Sequence, residues 1–168
     1  KKGVVYIIDL LSREITHQFD EHRKRVLCIG WSVDDQDIMT SANDKRLNIL
    51  NLSNLELKNQ IKSPSGKPVL HLKYGKKGEK ITIIDECGKI YNLGVKNLAV
   101  LQKQEFAVDC ASVKSMCISN HGAYVFVGFK KNILVYDRST LEPVTIIKGF
   151  EFEVTDLKIN SNDNKVYV

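Results

Sequence analysis

What this sequence lacks narrows its role more than any single motif does. Its longest apolar runs, such as Val4 to Ile8, fall far short of the ~20 residues a membrane-spanning helix needs. Only 3 Pro and 10 Gly occur in 168 residues, which excludes collagen-like and low-complexity chains. No stretch keeps an apolar period near 3.6 for a dozen residues, so essentially no helix is expected. The start, Lys-Lys-Gly-Val-Val-Tyr, has neither an initiator Met nor a signal-peptide pattern, as expected of a segment cut from a longer chain.

Catalytic and metal-binding signatures are missing too. The four cysteines, Cys28, Cys87, Cys110 and Cys117, form no C-x-x-C pair and have no nearby His to complete a zinc set. Most sit among apolar or small residues, as in Val-Leu-Cys-Ile-Gly, and are expected to be buried, reduced thiols. Ser65-Gly66-Lys67-Pro68 looks like a phosphate loop only superficially. It lacks the upstream Gly, has Pro where Ser or Thr is needed, and leads into a strand rather than a helix N-terminus. There is no nucleophile elbow, His-Glu-x-x-His or calcium loop. Asp109, Cys110 and His121 are near in sequence, but proximity alone does not build a triad. The chain is therefore expected to be non-enzymatic, with no cofactor and no metal.

What is present is a repeat. Val5-Tyr-Ile-Ile-Asp-Leu10, Leu47-Asn-Ile-Leu-Asn-Leu52, Ile90-Tyr-Asn-Leu-Gly-Val95 and Ile133-Leu-Val-Tyr-Asp-Arg138 recur at steps of 42, 43 and 43 residues. A second register runs through Ile38, Ile81, Tyr124 and Val166, and a third through Val26, Val69, Val113 and Val154. Each unit holds four short runs rich in β-branched and aromatic residues, separated by turn-forming clusters such as Val-Asp-Asp-Gln-Asp. In the clearest unit these are Val26–Ser32, Ile38–Asn43, Leu47–Leu52 and Leu57–Lys62. The first three runs are nearly all apolar and the fourth is more polar. That gradient fits strands sandwiched between neighbouring sheets, with an outer strand facing water. An all-β propeller of four-stranded antiparallel blades follows. The expected divisions are the end of one blade at 1–22, blades at 23–65, 66–108 and 109–151, and the start of another at 152–168. The period makes the chain slightly less than four blades, an incomplete ring that would expose blade faces and aggregate if isolated.

Residues 20–62 carry the strongest resemblance to the WD-repeat family, through Glu21-His22, Val26-Leu-Cys-Ile-Gly-Trp-Ser32, Ile38-Met-Thr-Ser-Ala-Asn-Asp44 and Lys45-Arg-Leu-Asn-Ile-Leu-Asn-Leu52. The resemblance implies a structural hydrogen-bonded network of His22, Thr40 and Asp44, with Leu50 where the family has Trp. The Trp-Asp signpost itself is replaced by Ile8-Asp9, Leu50-Asn51, Leu93-Gly94 and Tyr136-Asp137. Trp31 is expected as a packed or strand-end residue, and His121 as a solvated imidazole in a turn.

The formal net charge is +5, below that of a dedicated nucleic-acid binder. Propeller topology nevertheless collects twelve basic against eight acidic residues on the face made by inter-blade loops and second-to-third turns. Arg23, Lys24, Arg25, Lys45 and Arg46, with Lys130 and Lys131, are the candidate partner-binding residues. Such a cluster suits an acidic protein segment. The expected role is a scaffold for protein–protein interactions in a larger intracellular assembly, with several protein partners and no membrane insertion. Nucleic acid is the less favoured partner, in an RNA-associated propeller of ribosome assembly or splicing; a ligand-binding or enzymatic propeller is a third reading. A composition rich in Lys, Ile and Asn suggests an AT-rich eukaryotic genome and a ciliary, axonemal or trafficking assembly. The expected location is the cytoplasm, including cytoskeleton or cilium, with the nucleus as the alternative.

Overall fold

The computed structural model describes residues 2–75, 80–105, 113–160, 162–163 and 165–168. Asp109 and Cys110, and the boundary expected at 108–109, lie outside the described residues. Sixteen strands follow one another among those described, and no helix occurs among them. The strands β1 (Gly3–Ile8) and β2 (Ile15–His22) form a two-stranded sheet. Three four-stranded sheets follow. The first holds β3 (Val26–Trp31), β4 (Asp37–Ala42), β5 (Arg46–Asn51) and β6 (Leu57–Lys62). The second holds β7 (Val69–Tyr74), β8 (Lys80–Asp85), β9 (Lys89–Gly94) and β10 (Val100–Glu105). The third holds β11 (Val113–Ile118), β12 (Tyr124–Phe129), β13 (Asn132–Asp137) and β14 (Pro143–Ile147). The short pair β15 (Lys158–Ile159) and β16 (Val166–Tyr167) ends the chain. In every sheet the strands pair antiparallel in sequence order.

The turns show why these segments hairpin where they do. At the end of three of the four third strands, β9 with its terminal Gly94 excepted, a short polar side chain caps the turn: Asp9 Oδ1 accepts from Leu11 and Ser12 N–H at 2.8 and 2.7 Å. Asn51 and Asp137 do the same for Ser53–Asn54 and Ser139–Thr140. Four residues on, Arg13, Leu55, Leu98 and Leu141 all take positive φ, between 54° and 64°. Left-handed backbone is uncommon for such side chains. Asp9, Asn51 and Asp137 thus hold the turns that follow their strands by accepting from the next backbone N–H groups.

The core lies between sheets rather than within them. Met39, Leu47 and Ile49 of the first four-stranded sheet pack on Val69, Leu72, Ile81, Ile83, Tyr91 and Leu93 of the second. Ile84 and Ile90 of the second face Met116, Val125, Val127, Leu134 and Tyr136 of the third. Cys117, Ile133 and Val135 of the third meet Val154 and Leu157, and Leu50 meets Val5 and Phe19. Each fully buried Leu or Ile contributes about 1.5–3 kcal/mol, so stability resides in the seams between neighbouring sheets.

The burial gradient differs in one respect from the expectation. Second and third strands are buried, and β14 is exposed along its whole length. First strands such as β3 are only half-buried, because nothing pairs with their inner edge. Val26, Val69 and Val113 open their strands as the repeat predicts. Val154 does not: pairing begins at Lys158. Val154 is held instead by its N–H on the Lys130 carbonyl at 2.7 Å and by the apolar seam. The repeat recorded its burial, not its pairing.

Candidate functional site

The site grows from the junction between β2 and β3. His22, the last residue of β2, is 2% exposed. Its Nδ1 stands 3.1 Å from Asp44 Oδ2, and its Nε2 stands 2.8 Å from Thr40 Oγ1. An ionised carboxylate only accepts, so Nδ1 carries the proton and donates to Asp44, and in neutral imidazole Nε2 accepts from the Thr40 hydroxyl. Asp44 Oδ2 also accepts from Arg23 N–H at 2.9 Å, and Oδ1 accepts from Arg46 N–H at 3.1 Å. Arg25 contributes its carbonyl to Asn43 N–H at 2.9 Å. One carboxylate thereby ties the 22–25 loop to the β4–β5 turn.

This frame presents Arg23, Lys24, Arg25 and Lys45, all exposed. Among the described residues none of the four enters an ion pair, whereas Lys67 pairs with Glu86 at 3.9 Å and Lys89 with Glu105 at 2.8 Å. Lys45 sits at φ 65°, the turn position that Gly88 takes in the next sheet, and Lys130 has positive φ in the corresponding turn of the sheet after it. Arg46 departs from the expected cluster. Its Nη1 donates to Gln60 Oε1, so the guanidinium is turned onto β6. Lys130 and Lys131 lie at the equivalent turn two sheets along, and Lys130 Nζ stands 5.4 Å from the centre of the Phe129 ring. The structure thus gathers Arg23, Lys24, Arg25 and Lys45 on one loop frame and leaves Arg46, Lys130 and Lys131 outside it.

Other expected features resolve individually. Trp31 ends β3 and is half-exposed. His121 lies in a turn with its ring 78% exposed, and its Nδ1 and backbone N–H both reach the Asp163 carboxylate. Cys117 is buried, Cys28 half-buried and Cys87 exposed. Burial pushes the thiols of Cys28 and Cys117 up to about 11, so both stay protonated at neutral pH. Iodoacetamide on the native intact protein, followed by peptide mass mapping, is expected to label Cys87 and to spare Cys28 and Cys117 until denaturant is added. Labelling of Cys28 as fast as Cys87 would contradict this packing.

Sequence reasoning missed Arg138, which is buried. Its Nη2 donates to the Lys80 carbonyl at 2.9 Å and its Nε to Thr82 Oγ1 at 3.2 Å, clamping the third four-stranded sheet to the second. Asn92 Nδ2 donates to the Arg138 carbonyl at 2.6 Å, completing the seam. No pattern in the sequence marks it, because its partners lie 56 and 58 residues away.

Sheet order and seams define a partial β-propeller of four-stranded antiparallel blades. The family described as WD domain, G-beta repeat, matches residues 13–51, the stretch containing His22, Thr40 and Asp44. The β-propeller domain of Myceliophteria thermophila Cps50 (Swd1) superposes with a TM-score of 0.82 at 13% identity. The match covers 98% of this chain and 55% of that one, so the chain spans about half the length of that solved propeller. At this identity the likeness is one of fold. No curated protein matches the sequence.

Proposed function

We propose that this propeller segment is a non-enzymatic scaffold whose 23–25 loop, with Lys45, docks an acidic segment of a partner protein. The reading is supported by one observation above all: four exposed cations that enter no ion pair among the described residues, on a loop and an adjoining turn tied together by the buried His22–Asp44–Thr40 network. A fixed loop holds its cations in place without losing backbone entropy on binding. Arginine pairs with carboxylates in a bidentate fork, which favours Asp- and Glu-rich segments.

The test is a charge reversal, Arg23→Glu, Lys24→Glu and Arg25→Glu together, in the intact protein, followed by affinity capture of its native complex. A partner bound through an acidic segment is expected to be lost, while the charge-conserving Arg23→Lys, Arg25→Lys variant retains more of it than the reversal does. Unchanged capture would overturn the reading. Release of the partner by ribonuclease, or a steep loss with salt characteristic of phosphate-backbone contacts, would assign the same patch to RNA.

A further inference from the structure

A second positive region lies away from the loop frame, on the inner strands. The three first strands β7, β11 and β15 lie side by side in the ring, each presenting its unpaired inner edge. Together with the segment leading into β15 they line one cavity of about 370 Å³. Lys73, Lys114 and Lys158 come one from each strand or sheet, and all three are exposed. Lys73 and Lys158 occupy the same place in their repeats, four residues after Val69 and Val154, with Cys117 at that place in the strand between.

The charges in this cavity do not balance. Asp156 is its one carboxylate among the described residues, and it stands 3.6 Å from Lys158. Lys73 and Lys114 enter no ion pair among the described residues. The wall behind them is uncharged. Burial, then Lys73, hold the His71 imidazole below its ordinary value, and its ring bonds to the Val113 backbone. Ser115 also lines the cavity, 6% exposed, with a buried hydroxyl that has no hydrogen-bond partner. Like charges converging on a concave, partly apolar wall raise the local potential and attract a counter-anion.

We infer that this inner-strand cavity binds a small, multiply charged phosphate compound, with Lys73, Lys114 and Lys158 as its cationic ligands. Lysine binds phosphate as a mobile point charge, and the volume lies within the range of small-molecule sites. A multiply charged anion suits the site because two of the three ammonium groups enter no ion pair among the described residues.

Sodium tripolyphosphate is the probe, titrated calorimetrically into the intact protein. Saturable binding is expected, weakened at least about tenfold by Lys73→Gln with Lys114→Gln. The Arg23→Gln, Lys24→Gln and Arg25→Gln variant is expected to bind the probe as tightly as the parent, so this site and the proposed docking loop fail or stand separately. Inorganic phosphate, with less charge, is expected to bind more weakly. An unchanged melting profile for the lysine variants keeps the comparison valid, since these exposed side chains support no seam. Absence of saturable binding, binding indifferent to Lys73 and Lys114, or equal affinity for inorganic phosphate would overturn the inference.

Discussion

Replacing Asp44 by Ala is expected to lower the stability of the intact protein by about 3 kcal/mol, measured by urea unfolding. Asp44 is not a surface charge: its side chain is 6% exposed and pairs with the 2%-exposed His22. Its removal strands three donors at once, the His22 Nδ1–H and the backbone N–H groups of Arg23 and Arg46. Each buried donor left unmatched costs about 1–3 kcal/mol, and water can reach the two backbone groups more easily than the ring. Asp44→Asn keeps one carbonyl acceptor and is expected to cost less, about 1 kcal/mol. Thr40→Val removes only the hydroxyl at Nε2 and belongs in the same smaller range. Amide exchange provides a second readout: in Asp44→Ala the N–H groups of Arg23 and Arg46 should exchange much faster, while the β8–β9 amides remain protected. A stability loss below about 0.5 kcal/mol, with exchange unchanged, would mean the carboxylate does not hold the loop.

The second large effect is expected at Gly75. A Cβ there would stand 2.1 Å from Arg138 Nη2 and 2.4 Å from both Cζ and Nη1. These overlaps exceed what a rotamer adjustment absorbs, because the guanidinium is buried and already fixed by Lys80 and Thr82. Gly75→Ala must therefore expel Arg138 from the seam, at about 3 kcal/mol for lost charge-assisted hydrogen bonds and overpacking. Arg138→Ala alone is expected to cost about 2 kcal/mol. In the double variant the added Cβ enters vacated space, so the two losses should fall well short of their sum. Unfolding of the four proteins of this double-mutant cycle measures the coupling. Additive losses would show that Gly75 is required for its backbone and not for the space it leaves.

These two sites differ in how far the sequence reveals them. His22, Thr40 and Asp44 lie within the 20–62 stretch that resembles a WD repeat, and that resemblance implies their juxtaposition before any coordinates. Gly75 and Arg138 belong to different sheets, and nothing local distinguishes this glycine or this arginine. The cationic loop falls between the two cases. Arg23, Lys24, Arg25 and Lys45 share a unit and converge as topology requires. Arg46, the next residue along, has its guanidinium drawn away by Gln60, a partner that only the β5–β6 register supplies. Lys73 and Lys158 occupy equivalent repeat positions, yet their significance emerged only once three inner strands were seen to share a cavity.

Strand periodicity is a one-dimensional property, because alternation and turn chemistry act over a few residues. The sequence by itself therefore determined the four-stranded unit, its 43-residue step and the places of the turns between strands. Val154 marks where that reach stops, since burial in a seam and pairing in a ladder leave the same apolar signature. The tertiary structure alone decided which faces meet, where a buried guanidinium clamps one sheet to the next, and which lysines share a concavity. Those outcomes depend on contacts between residues dozens of positions apart, whose distances are set by the stacking of whole sheets rather than by any pattern along the chain.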